Sequence, residues 1–208
     1  MSIKLNSKCA KCRRAGEKLM LKGEKCLSAK CPMTKRNYPP GMHGPNARRG
    51  KGSGYGKQLA EKQKAKRVYC LVEKQFANYV AEASRKVGDT SKYLTLYLES
   101  RLDNVVYRAG LAKSRMAARQ MVGHGLIAVN GRKVDIPSCR VKVGDTVGVK
   151  SSAMGKKIFQ GLSEKLAKYE APSWLAVNAQ SLSAKVLNPP SVDNPIFNAK
   201  VIIEFYSR

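Results

Sequence analysis

Four cysteines fall within a short basic stretch, as Cys9-x-x-Cys12, thirteen intervening residues, then Cys26-x-x-x-x-Cys31. Two close pairs separated by a loop is the spacing of a tetrahedral site, each pair forming a knuckle that the loop brings to the other. Four thiolates around one Zn²⁺ would leave a local charge of about −2, which neighbouring lysines and arginines offset. Such a closed site has no open position, so the metal would be structural. An iron–sulfur cluster uses the same ligands, and free or oxidised thiols would also fit the spacing. A redox Cys-x-x-Cys pair wants a βαβ context, which nothing here supplies. Cys70 and Cys139 stand alone in apolar stretches and read as small core residues.

Charge sets the second constraint. The 208 residues carry 40 Lys and Arg against 14 Asp and Glu, a net charge of +26. Self-repulsion on that scale is relieved by a polyanion, and nucleic acid is the usual one. Residues 1–70 hold 19 basic against 3 acidic side chains, and residues 71–208 hold 21 against 11. The N-terminal third is therefore the most polyanion-seeking part. No segment approaches the roughly 20 apolar residues of a membrane span. The start, "MSIKLNSKCAKC", has no apolar signal-peptide core, which points to a reducing compartment where disulfides are rare. With two histidines and no Gly-rich phosphate loop ending in Gly-Lys-Ser/Thr, an enzyme has little to work with.

Along the chain, the expected class is α+β. Residues 1–45 form the cysteine module, with a basic Pro/Gly loop continuing to about 56. In that loop His43 reads as an RNA or backbone contact. From Lys57 to Val87, Tyr69, Val72, Phe76, Tyr79, Ala83 and Val87 recur at helical steps, with Gly88 as the C-cap. Lys57, Lys62, Lys64, Lys66 and Arg67 crowd the polar half. Ser91 would cap a second run, Leu94 to Val106, ended by Gly110. Ser114 would cap a short helix through Met121, setting Arg115 and Arg119 on one face near its positive end. Asn130-Gly131 is a strong hairpin signal between "LIAV" and "RKV". "CRVKVGDTVGVK" alternates and turns at Gly144-Asp145, giving more antiparallel sheet. Two helices on a small twisted sheet thus carry cations at a helix start and a hairpin tip. Beyond them "IFQGLSEKLAKY" reads as helix, "SWLAV" and "KVIIEFY" as strands, and Trp174 as a core residue.

"ESRLDNVVYRAGLAKSRMAARQMVGHGLIAVNGRKVDIP" resembles the RNA-binding domain named after small-subunit ribosomal protein four. That domain also serves as a guide module in RNA-modifying enzymes and in small stress-induced RNA-binding factors. "PPGMHG", "YGKQLAEKQKAKRVYCLVEKQFANYV" and "RLDNVVYRAG" together resemble the bacterial-type ribosomal family itself. The four-cysteine start resembles its zinc-carrying branch, and "PSWLAV" with "VIIEFYSR" matches its end. The resemblance implies a helical domain over 57–98, the RNA-binding domain over 99–162, and a C-terminal segment over 163–208 packing back on the body. It implies a cytoplasmic structural protein of the small ribosomal subunit that binds the 5′ domain of 16S rRNA early in assembly. It also implies contact with small-subunit protein five and a part in translational accuracy. Arg48, Arg49 and Lys51 would then stand near the channel by which mRNA enters. Lys113, Ser114, Arg115, Arg119, Arg132 and Lys133 form the expected RNA surface of the small domain. Lys57, Lys62, Lys66, Arg67 and His43 extend it toward the N-terminus.

Overall fold

The computed structural model describes residues 7–46, 53–191 and 196–207. Two compact units emerge, one from residues 1–95 with 194–208, the other from 96–193. Arg48, Arg49 and Lys51 lie outside the described residues.

In the first unit, α1 (Lys8–Ala15) carries Cys9 and Cys12, α2 (Glu24–Leu27) carries Cys26, and Cys31 immediately precedes α3 (Pro32–Lys35). α1 stops at Gly16, whose left-handed φ of 80° suits a residue with no Cβ. The single helix expected over 57–87 is two: α4 (Gly54–Val68) and α5 (Glu73–Ser84). α4 starts earlier than expected because the Ser53 hydroxyl accepts the Gly56 N–H at 3.2 Å. The chain leaves the helix at Cys70, with φ 56°. That break buries Tyr69, Cys70 and Leu71 together, three consecutive residues that a helix would spread around its circumference. Val87, expected on the apolar face, is exposed beyond the end of α5. Gly88, with φ 120°, lies in the connection, not at a cap.

α6 (Thr90–Glu99) starts where the Asp89 carboxylate accepts the Ser91 N–H at 2.9 Å, so Asp89 does the capping expected of Ser91. The run through Val106 is also broken, and α7 spans Leu102–Arg108. The turn between α6 and α7 bonds to the 137–141 segment: Leu102 N–H donates to the Cys139 carbonyl and Val141 N–H to that of Ser100. α8 (Arg115–Gly123) is capped as expected, the Ser114 hydroxyl accepting the Ala117 N–H at 3.3 Å.

β1 (Ile127–Val129) and β2 (Arg132–Lys133) make the hairpin, with Asn130 and Gly131 at φ 50° and 78°. β3 (Thr146–Val149) pairs with β1, matching Ile127 to Val149 and Val129 to Val147. The Asn130 side chain ties the two turns together, donating to Asp145 and accepting the Thr146 N–H, both at 2.8 Å. After α9 (Leu162–Ala167), β4 (Leu175–Asn178) and β5 (Ser183–Val186) complete an antiparallel sheet of order β2-β1-β3-β5-β4. Val105, Val106, Ala118, Val122 and Trp174, the last only 2% exposed, share one core with Ile127 of β1.

The terminal "KVIIEFY", expected as a strand, is α10 (Ala199–Tyr206) of the first unit. Asn198 caps it by accepting the Lys200 and Val201 N–H groups. Its β-branched run favours a strand only in isolation. Here Ile202 is fully buried, and Phe205 and Tyr206 meet Tyr55 and Phe76 at ring distances of 5.5 and 6.2 Å. Packing overrides propensity.

Candidate nucleic-acid interface

The second unit is organised around a buried polar network at the junction of α6, α7 and α8. Glu99 has no exposed surface, and its carboxylate accepts two bonds from the Arg108 guanidinium, at 2.9 and 3.0 Å. Asn104 donates to the main-chain and side-chain oxygens of Glu99, at 2.9 and 2.7 Å. Asp103, also buried, takes a two-pronged bond from fully buried Arg101, at 3.0 and 2.7 Å. Each planar guanidinium meets its carboxylate along two parallel bonds, the geometry that best repays desolvation of both ions.

Arg115 and Arg119 do share a face of α8, as their spacing implies. That face looks at α7. Arg115 is 9% exposed, its Nε donating to Asn104 at 2.7 Å and its guanidinium 4.6 Å from the Tyr107 ring centroid. Arg119 donates to Asp103 at 3.3 Å and stays partly exposed. The sequence sets both on the expected RNA surface; helical spacing fixes their shared direction, and acceptors on α7 turn it inward. Lys113, Arg132 and Lys133 stand exposed. The Lys133 stem crosses Gly125, where an added Cβ would collide with its Cε.

In the first unit the expected cations divide the same way. Lys62 is 6% exposed, its ammonium 2.7 Å from Glu73 and 4.4 Å from the Phe205 ring centroid. Lys62, expected on the polar half of its helix and in the RNA surface, is covered by the C-terminal helix. Lys66 binds the other Glu73 oxygen at 2.8 Å, and the Tyr206 hydroxyl donates to the same carboxylate at 2.7 Å. Burial works against the Glu73 charge, yet bonds from Lys62, Lys66 and Tyr206 prevail and hold its pKa at about 2. Burial and the Glu73 carboxylate push the Tyr206 phenol well up. Lys57 and His43 are exposed. Arg67 is half-buried, and burial followed by the positive charge of Arg14 lowers its pKa. Exposed Arg14 was not among the sequence candidates. Ahead of the turn bearing His43, Arg13 donates to the Tyr38 and Pro39 carbonyls at 2.9 and 3.2 Å.

The four N-terminal cysteines line one pocket together with Lys22, Lys25 and Leu21. The Lys22 N–H donates to Cys26 Sγ at 3.3 Å. Burial raises the Cys12 pKa, and the nearness of Cys26, Cys9 and Cys31 raises it further. Among the described residues no three His, Cys, Asp or Glu side chains form a ready-made ligand cluster.

Comparison with known proteins places this geometry. Residues 4–99 match the family described as "Ribosomal protein S4/S9 N-terminal domain", and residues 100–147 match the "S4 domain". The chain is 48% identical over 205 residues to small ribosomal subunit protein uS4 of Syntrophomonas wolfei, covering 98% of each. The chain belongs to the uS4 family. It is likewise 49% identical to the uS4 of Halothermothrix orenii and 48% to that of Clostridioides difficile, each over 203 residues and 96% of both chains. The buried network falls at the start of the matched S4 domain and just before it. Sequence reasoning missed the network as a unit. Its signal was the alternation Glu99-x-Arg101-x-Asp103, followed directly by Asn104, between apolar residues on either side.

Proposed function

We propose that this uS4-family chain works by presenting cations to 16S rRNA from scaffolds that its other charged side chains hold in place. It is a structural constituent of the small ribosomal subunit and not an enzyme. The observation carrying the mechanism is the division of labour among arginines and lysines. Arg101, Arg108 and Arg115 are largely buried and bond internal carboxylate and amide oxygens, while Lys113, Arg132 and Lys133 are exposed, Lys133 lying 3.7 Å from the Asp135 carboxylate. Phosphates meeting that surface release counterions without waiting for the scaffold to order. In the first unit, Arg14 beside Arg67 is a like-charge pair that a phosphate would relieve. Lys57 and His43 add to that surface.

The finer reading follows the sequence resemblance. The rRNA target is the 5′ domain, bound early in assembly, small-subunit protein five is a neighbour, and Arg48, Arg49 and Lys51 lie near incoming mRNA. Among the described residues no helix is long and apolar enough to cross a membrane. Sedimentation of cell extract tests the reading: the chain travels stoichiometrically with small subunits, and its recovery as free protein would overturn it.

The cysteine pocket suits a structural Zn²⁺ held by Cys9, Cys12, Cys26 and Cys31, because four soft donors line it and a backbone N–H already faces one sulfur. Bound there, zinc would cross-link α1, α2 and the start of α3. Such a metal contributes on the order of 10 kcal/mol of local folding free energy. Cys26→Ser should therefore raise amide exchange across residues 8–35. Trp174, the sole tryptophan, sits in the core of the second unit, so its fluorescence should not change. Purified protein containing iron, or no metal, rules zinc out.

A further inference from the structure

Tyr169 follows α9 and is 42% exposed, yet it is held in place at two points. Its hydroxyl donates to the Arg108 carbonyl at 3.2 Å. Its ring lies so close to Gly110, at φ 77°, that a Cβ there would stand 2.8 Å from a ring carbon. Burial raises the phenol pKa, while Arg108 and Arg115 act to lower it. Lys165 and Lys168, just before it in sequence, are exposed. A tyrosine serving only to close the core would hide its ring. This one keeps ring surface in water with its rotation already restricted. A fixed, part-exposed aromatic ring is what an unpaired base stacks on, while exposed lysines such as Lys165 and Lys168 meet its phosphates.

We propose that Tyr169 is a stacking platform for an unpaired nucleobase of the bound rRNA. This rests on the 16S rRNA reading above and deepens it. A stacked base contributes binding that salt does not screen, unlike the phosphate contacts around it.

The test measures affinity of the full chain for 16S rRNA across a salt series, for wild type, Y169F and Y169L. Y169F keeps the ring and binds within about twofold of wild type, whereas Y169L binds about tenfold or more weakly at every salt concentration. The slope of log affinity against log salt stays unchanged in both. Y169L binding like wild type overturns the proposal, as does equal weakening of Y169F and Y169L, which would credit the hydroxyl. Intact rRNA affinity with impaired joining of a later small-subunit protein also overturns it, by making the ring a protein contact. If Y169L fails to fold by circular dichroism, Y169W carries the test. Its larger ring tightens binding if a base stacks there, and unchanged or weaker binding counts against stacking. Wild type failing to bind 16S rRNA would instead remove the underlying reading.

Discussion

Glu73 and Glu99 each gather two cations, but Glu73 is 47% exposed and Glu99 is sealed from solvent. Around Glu73 stand Lys62, Lys66 and Tyr206, contributed by α4 and by a helix from the far end of the chain. Around Glu99 stand Asn104, Arg108 and Arg115, all within sixteen residues of it. The first unit thus closes through a solvent-facing carboxylate and a distant segment. The second closes through local, dehydrated bonds. The difference predicts where each unit is vulnerable: solvent conditions for the first, single side chains for the second.

Glu99→Gln breaks the comparison most directly. It leaves Arg108 and Arg115 facing a neutral group inside the protein, and loss of one partner from a buried pair costs about 3–5 kcal/mol. Urea unfolding followed by Trp174 fluorescence should show that loss. A change below about 1 kcal/mol would mean that the network is hydrated and not sealed.

Acid should act on the first unit instead. Glu73 has its folded pKa depressed from 4.5 to about 2, so its stabilisation is complete above the unfolded value. It is lost as pH falls from about 4.5 toward 2. Because Glu73 is half exposed, screening limits the effect to about 1 kcal/mol or less. Amide exchange in α10 should rise across that window, and Tyr206→Phe, which removes one bond to the carboxylate, should move its onset to higher pH. Protection of α10 that is flat between these values would show that aromatic packing alone holds the helix.

Local chemistry was legible in the sequence where one residue type has few substitutes. Asn130-Gly131 had to turn with positive φ, and Ser114 ahead of an apolar run had to cap. What stayed hidden depended on partners distant in the fold. Nothing near Lys62 in sequence announces Phe205 and Tyr206, which cover it. The apolar run in α10 fits strand and helix alike until α4 supplies the surface. β5 is short and carries the exposed Lys185, so its pattern was too weak to name. Arg115 is the instructive case: its direction from the helix was readable, but the acceptor at the end of that direction was not.

The smallest effect separates surface cations from internal ones. Removing one lysine or arginine from a phosphate should lower the slope of log affinity against log salt by about 0.7 to 0.9. Arg132→Ala with Lys133→Ala removes two exposed charges at the hairpin tip, so the slope should fall by about 1.5 while Trp174 reports unchanged stability. Arg115→Gln should do the reverse. Its guanidinium binds Asn104 and covers Tyr107, so unfolding shifts to lower urea and the slope stays where it was. If Arg115→Gln flattens the slope as the hairpin pair does, then Arg115 reaches a phosphate despite its burial. The α7–α8 network would then be part of the RNA interface and not merely its support.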